Sequence, residues 1–279
     1  MKMEQKEIQI QQFKIPIEYI KSVVGGFHNS FIFLGNQGLG KTTTTLKTLD
    51  ELKTKYCYHS GVSTPKALYQ FLYEHREDEV IVFDDCTGLI NNPNALSIIL
   101  SALWSAGDTR EVSWNTTKDD KLQLPTKFIF NSKVIIITNK MPNTFYAQVV
   151  MSRCLTYQIE FTHKELIEMM YIIGKDKEIV DFIADNSSPA TRGFDLRVLK
   201  KAEQFKDYDK DNWRTLIGPM LDDIDDKIQL VLQGCSEEEF MEKTRKSRRT
   251  YYRYKKKCQS AVPNHIYKDK EEKEEVFYY

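Results

Sequence analysis

"SFIFLGNQGLGKTTTT", residues 30–45, decides how the chain is read. An apolar run gives way to three glycines, Gly35, Gly38 and Gly40, and then to Lys41 and four threonines. The spacing Gly35-x-x-x-x-Gly40-Lys41-Thr42 predicts a strand, a tight turn and a helix. Backbone N–H groups of such a turn point inward at a phosphate, and the helix that follows adds the positive end of its dipole. Lys41 is expected to reach the β- and γ-phosphates, and the Thr42 hydroxyl to ligate Mg²⁺. The expected nucleotide contacts are Gly35, Asn36, Gln37, Gly38, Leu39, Gly40, Lys41, Thr42 and Thr43, with ATP and Mg²⁺ as the bound species.

Outward from this stretch, strand and helix patterns alternate. "IEYIKSVV" (17–24) predicts a short helix ahead of it, and the helix opening at Lys41 is expected to run to about residue 55. "YCYHSG" (56–61), "EVIVFDD" (79–85), "KVIIITN" (133–139) and "CLTYQIEF" (154–161) read as further strands. Between them, "PKALYQFLYEHR" starts on a Thr64 cap with Pro65 at its first position, and "NPNALSIILSALWSAG" (92–107) is amphipathic. "REVSWNTT" and "TKFIF" flank a polar linker and predict a β-hairpin over 110–130. Apolar strands alternating with helices predict an α/β fold, a parallel sheet with helices on both faces. The expected organisation is an α/β nucleotide-binding core over 1–162, a helical lid over 163–220, a small basic all-α module over 221–260 and a charged tail over 261–279 with a disordered composition.

Composition sets outer bounds. With 41% hydrophobic and 29% charged residues, a globular chain with a real core is expected. Formal net charge is zero, so partners must be read from local charge instead. Cys57, Cys86, Cys154, Cys235 and Cys258 have neither zinc nor redox spacing, which predicts reduced thiols and a cytoplasmic setting. "MKMEQKEIQIQQFK" lacks the apolar core of a secretory signal, and no apolar run approaches the about 20 residues that span a bilayer.

Four further constellations carry chemistry. In "VIVFDD", Asp84 is placed to hold Mg²⁺ and Asp85 to polarise an attacking water. Adjacent acids are costly to bury, and a metal–phosphate site gives them a reason. "KVIIITNKMP" ends its strand in Asn139, expected to orient that water. "MSRCL" places Arg153 between a short helix and a strand, where it would insert into a neighbouring subunit's site as an arginine finger. "RGFDLRVLKKAEQF" places Arg197 in the lid, facing the γ-phosphate, with Arg192 as the competing residue.

In this order, the motifs resemble the AAA+ ATPase family over residues 17–205. The resemblance implies Walker A (Gly35–Thr42), Walker B (Asp84, Asp85), sensor 1 (Asn139), an arginine finger (Arg153) and sensor 2 (Arg197). "SRC" and "FDLRVL" look like the corresponding motifs of clamp-loader subunits. Asp85 departs from the family, whose Walker B usually reads Asp-Glu. The hairpin resembles the pre-sensor-1 hairpin of superfamily III viral helicases, which implies a tip, "TKDDKLQ", offering Lys118 and Lys121 to nucleic acid against the opposing Asp119 and Asp120.

"GCSEEEFMEKTRKSRRTYYRYKKKCQ" (234–259) carries a second signal. Ser236 and Glu239 make a capping box, and a helix "DDIDDKIQLVLQ" is expected to supply Ile224, Ile228, Val231 and Leu232 as its packing partner. The pattern looks like a helix-turn-helix. Residues 243–257 hold nine Lys or Arg and no acid, the electrostatic footprint of phosphate binding. Expected DNA contacts are Arg245, Lys246, Arg248, Arg249, Arg253, Lys255 and Lys256, interleaved with Tyr251, Tyr252 and Tyr254.

These readings converge on an ATP-hydrolysing machine acting on DNA in replication, as helicase, initiator or helicase loader of a phage, virus or plasmid. Its expected partners are DNA, further copies of itself in a hexameric ring or helical assembly, and a replication protein, but no membrane. The alternatives are an ATP-switched regulator of transposition or partition, and a protein-remodelling chaperone. A chaperone needs an aromatic pore loop after the second strand, where "VSTPKALY" offers only Tyr69. A simple kinase leaves Asn139, Arg153 and Arg197 without a role.

Overall fold

A computed structural model describes residues 11–61, 64–104, 107, 109–114 and 124–259. The chain divides into two compact units, 1–160 and 161–279. Lys118 and Lys121, with the rest of the hairpin tip, and the tail 261–279 lie outside the described residues.

The first unit is built on five strands: β1 (Ser30–Gly35), β2 (Tyr56–Ser60), β3 (Val80–Asp84), β6 (Lys133–Thr138) and β7 (Leu155–Ile159). They form one all-parallel sheet of order β2-β3-β6-β1-β7. Alternation along β1 explains the layers. Ile32 and Leu34 join Ile81, Phe83, Val134 and Ile136 in a core with α3 (Pro65–Glu74), α4 (Thr87–Ile90), α5 (Pro93–Leu103) and α6 (Phe145–Ser152). Phe31 and Phe33 stack at 5.5 Å, and Phe31 meets Tyr19 of α1 (Gln11–Val24) edge-on. Strands buried on both faces read as unbroken apolar runs, as β1, β3 and β6 do, whereas the edge strands β2 and β7 are only partly buried and carry polar residues. Between α5 and β6, β4 (Glu111–Ser113) pairs antiparallel with β5 (Lys127–Ile129) as a separate hairpin.

Several helix boundaries differ from expectation; α5 ends at Leu103, where Trp104 turns extended, rather than at residue 107. Among the described residues α1 spans Gln11–Val24, so it already includes residues ahead of 17, and it carries Pro16 inside it. Proline removes one helical hydrogen bond, while Phe13, Ile20 and Val23 bury one helical face across it. α2 (Lys41–Glu51) stops short of residue 55. Lys53 turns left-handed at φ 52°, and Thr54 N–H donates to Leu49 O at 3.0 Å. This is a glycine-type helix end made without glycine, so the sequence carries no stop signal there.

In the second unit, α7 (His163–Ile173), α8 (Lys177–Asn186), α9 (Arg197–Tyr208) and α10 (Trp213–Leu221) enclose Met170, Ile183, Ala202, Trp213, Ile217 and Leu221. A smaller core of Val231, Phe240, Tyr251 and Cys258 joins α11 (Asp226–Leu232), α12 (Glu237–Thr244) and α13 (Arg248–Gln259). Ile224 corrects the expected packing. It lies outside α11 and forms a bridge with Thr191, because Asp225 caps the helix at Lys227 N–H.

Candidate functional site

Parallel register brings the strand ends into line. Leu34 pairs with Thr138, Asp84 with Ile137, and Ser60 with Asp84. The turn after β1, the acids after β3 and Asn139 after β6 therefore share one sheet edge. All three turn glycines need their missing side chain: Gly35, Gly38 and Gly40 have φ of 148°, 70° and 81°. A Cβ on Gly35 would meet Ile159 O at 2.5 Å.

Lys41, at the start of α2, is buried with 5% exposure. Its ammonium donates to Gly35 O and Asn36 O, each at 2.7 Å, and to Asn139 Oδ1 at 3.2 Å. Thr42, the next residue, donates through Oγ1 to Asp84 Oδ2 at 2.7 Å. Asp84 is 7% exposed, and a carboxylate so buried needs donors. A second donor is Tyr58, whose hydroxyl meets the same Oδ2 at 2.8 Å. Desolvation, followed by the hydrogen bond to Asp84, pushes the Tyr58 phenol up to about 12, so it remains a neutral donor. Lys41 with Asn139, and Thr42 and Tyr58 with Asp84, are thus two hydrogen-bonded groups joined through the consecutive residues Lys41 and Thr42. Sequence reasoning missed Tyr58; its only signal is register, since pairing with Val82 puts it on the Asp84 face of the sheet.

Asp85 follows β3 and is exposed, with φ 51° and its N–H donating to Ile137 O at 3.0 Å. A left-handed non-glycine residue at a strand end is a local strain of the kind that collects at working sites. Asn36, Gln37 and Thr43 are exposed along the turn, whereas Leu39 is buried. Oxygen donors of this set suit a hard cation such as Mg²⁺, which takes one or two carboxylates plus phosphate oxygens rather than an all-protein cage. Among the described residues no cluster of three His, Cys, Asp or Glu forms such a cage. The thiols offer no alternative chemistry: all five are free, and burial pushes Cys86 and Cys154 up to about 11.

Arg153 is not part of these groups. It is the exposed C-cap of α6, two residues before β7. Leu155 pairs with Phe31 and Ile159 with Gly35. Leu155 therefore stands four residues below the Gly35 level, roughly 13 Å along the strand direction at the usual rise, and Arg153 precedes it at that end of the strands. Tyr69 is core, 2% exposed, and donates to Pro125 O at 2.7 Å.

The remaining residues lie on the second unit. Arg197 is exposed as the first residue of α9, with its N–H donating to Asp195 Oδ1 at 2.7 Å. Arg192 is paired with Asp223 at 3.2 Å. Arg245, Lys246, Arg248, Arg249, Arg253 and Lys256 are exposed on the turn after α12 and on α13, and Lys255 is half-buried with its ammonium 5.9 Å from the Tyr251 ring centroid. The basic stretch is not free of acids in space: Arg248 pairs with Glu237 at 3.0 Å. Nor are the tyrosines one surface. Tyr251 packs on Phe240 at 5.4 Å and donates to Cys235 O, and Tyr254 is half-buried, leaving Tyr252 exposed.

A parallel five-stranded sheet of this order, flanked by helices and followed by a helical unit, is the AAA+ fold. The chain is similar to RuvB of Thermotoga maritima, described as a Holliday junction branch migration motor, at 15% identity over 94% of each chain with a TM-score of 0.51. Two variants of that protein match at 16% identity: one over 96% of each chain with a TM-score of 0.51, the other over 98% of this chain and 96% of its own with 0.50. At this identity the likeness concerns the fold. No family model matches the chain, and no curated protein matches it in sequence.

Proposed function

We propose that the chain is an ATP-hydrolysing AAA+ protein acting on DNA, in replication as a helicase, initiator or helicase loader. The observation that carries the reading is the convergence of the Lys41 ammonium, the Thr42–Asp84 pair and the Asn139 amide beside a turn that only glycine can make. Gly35 to Thr43 bind the nucleotide phosphates, and Lys41 exchanges peptide oxygens for phosphoryl oxygens as its acceptors. Thr42 and Asp84 hold Mg²⁺, which when bound neutralises charge on the β- and γ-phosphates. Asp85 accepts a proton from the attacking water, and Asn139 orients it. Arg153 precedes β7, at the strand ends away from its own phosphate site, so it serves a second copy, which requires a ring or helical assembly. Arg197 is the lid's contact to the γ-phosphate. That the protein RuvB, a branch migration motor, shares this fold supports DNA as the object of the motion. The exposed cations of α13 support it independently: they offer a salt-sensitive phosphate surface on a trihelical module of helix-turn-helix type. Lys118 and Lys121 of the hairpin would add a second contact.

DNA-stimulated ATPase activity is the test. Hydrolysis that rises on adding DNA, with binding that weakens as salt rises, is expected. ATPase indifferent to DNA, together with no DNA binding at low salt, removes the reading. A second reading, an ATP switch with slow turnover, rests on Asp85, whose shorter side chain starts from a strained backbone. Asp85→Glu separates the two: a switch gains turnover, while a motor already turns over with Asp85. The chaperone reading loses its support with Tyr69 in the core.

A further inference from the structure

Trp104 closes α5, its N–H donating to Leu100 O at 3.2 Å and its backbone turning extended. Its residue exposure is 41%, so a large part of the indole faces water. A lone exposed apolar side chain is ordinary; this one is set apart by the group that lies over it. What lies over it is Arg153: the guanidinium carbon is 4.2 Å from the ring centroid. α5 and α6 pack together, and each presents its C-cap residue to the other's. Arginine on the face of tryptophan is the strongest pairing of its kind. It also restricts a long side chain that otherwise samples many rotamers.

We propose that Trp104 is a positioning residue for Arg153: the indole is a shelf that sets the direction of the guanidinium, and the pair works as one element on the nucleotide of a second copy of this chain. The inference rests on the reading of Arg153 as a finger in trans. Two facts recommend it beyond that reading. Arg153 precedes Leu155, which pairs with Phe31 at the start of β1, whereas Lys41 follows the end of β1, so the indole holds Arg153 away from the phosphate site of its own chain. In addition, no other partner of its guanidinium appears among the interactions of the described residues, so the indole is what orders it.

The experiment measures steady-state ATPase of the full-length chain in three arms. Arg153→Ala comes first, and a loss of about a thousandfold in kcat is expected for a finger. Normal turnover there sinks the finger reading itself, whatever Trp104 does. With Arg153→Ala inactive, Trp104→Leu and Trp104→Gln are expected to lower kcat about tenfold, with the KM for ATP within twofold of wild type and Trp104→Phe recovering most of the loss. Wild-type kcat in both non-aromatic variants overturns the shelf while leaving the finger intact. The last arm mixes Arg153→Ala chains, which keep a sound phosphate site, with Lys41→Ala chains, which keep a sound finger. Activity recovers where the two meet. Adding Trp104→Leu to the Lys41→Ala chains is expected to remove that recovery, and adding it to the Arg153→Ala chains to leave it. Equal effects on both sides mean a general packing role and refute the proposal.

Discussion

The sheet edge around Lys41 and the surface of α13 are both suited to phosphate, by opposite means. At the sheet edge one buried ammonium, one buried carboxylate and a turn of positive φ define a single place. On α13 exposed cations share the work, and one of them, Arg248, is already engaged by Glu237. Desolvated charge held by fixed partners acts strongly and in one geometry. Exposed charge is screened and acts as a sum. Single changes should therefore be decisive at the first site and graded at the second.

Of the changes at these two surfaces, Lys41→Ala gives the largest effect on binding. Removing a charged donor from a buried phosphate site is worth about 2–3 kcal/mol, or roughly 30- to 150-fold in ATP affinity. Titration with a fluorescent ATP analogue reads it, and an affinity within twofold of wild type breaks the assignment of the site. Gly35→Ala tests the turn in the same region. Its Cβ would lie 2.5 Å from Ile159 O, whereas a Cβ on Gly26, also at positive φ, meets nothing within 4 Å. Gly26→Ala should cost the left-handed penalty alone, about 1–2 kcal/mol, and Gly35→Ala clearly more in denaturant unfolding. Equal costs would mean that the strand end at Gly35 yields easily.

The contrast also explains what the sequence disclosed. The Gly35–Thr42 spacing and the apolar strands ending in Asp84 and Asn139 are local patterns, and each has a local physical cause. The sheet order and the shared edge follow once those strands are parallel. Tyr58 was illegible because its partner, Asp84, is fixed by register across two strands. Trp104 beside Arg153 depends on how two helix ends meet, which no spacing encodes. In α13 the cations were countable, but which tyrosines face the core is a matter of packing on Phe240. The stop of α2 at Lys53 and the departure of Ile224 from α11 lacked a glycine or proline to announce them.

Tyr58→Phe sharpens the first site at intermediate size. It removes one donor from Asp84 and leaves Thr42 in place. Loss of a partner that orients a metal-holding carboxylate typically costs about tenfold or more in metal affinity. The Mg²⁺ concentration for half-maximal ATPase should rise about tenfold while ATP affinity at saturating Mg²⁺ holds. An unchanged Mg²⁺ dependence removes Tyr58 from the site. On α13, Arg249→Ala should weaken DNA binding modestly and reduce the slope of log K against log salt by about 0.9, the share of one phosphate contact. A loss of binding with no change in slope would turn the contact from phosphate to base or to protein structure.

The smallest effect compares the two units through their histidines. Burial lowers the imidazole of His59 in the first unit and of His163 in the second, where its Nε2 faces Ser187 Oγ at 2.9 Å. A lowered value means that the unfolded chain binds protons which the folded chain refuses, so stability rises with pH in this window. The neutral form stabilises fully above about 6.5, the ordinary histidine value, and its contribution drains away as pH falls through the lower folded values. Between pH 7 and about 5.5 the lowered carboxylates of Glu79, Asp176 and Glu178 stay ionised, because their ordinary values lie at 3.8 to 4.5. Thermal unfolding across that window should lose a few degrees on acidification. His59→Phe should flatten the loss in the transition of the first unit, and His163→Gln in that of the second. If either substitution flattens both transitions alike, the two units unfold as one.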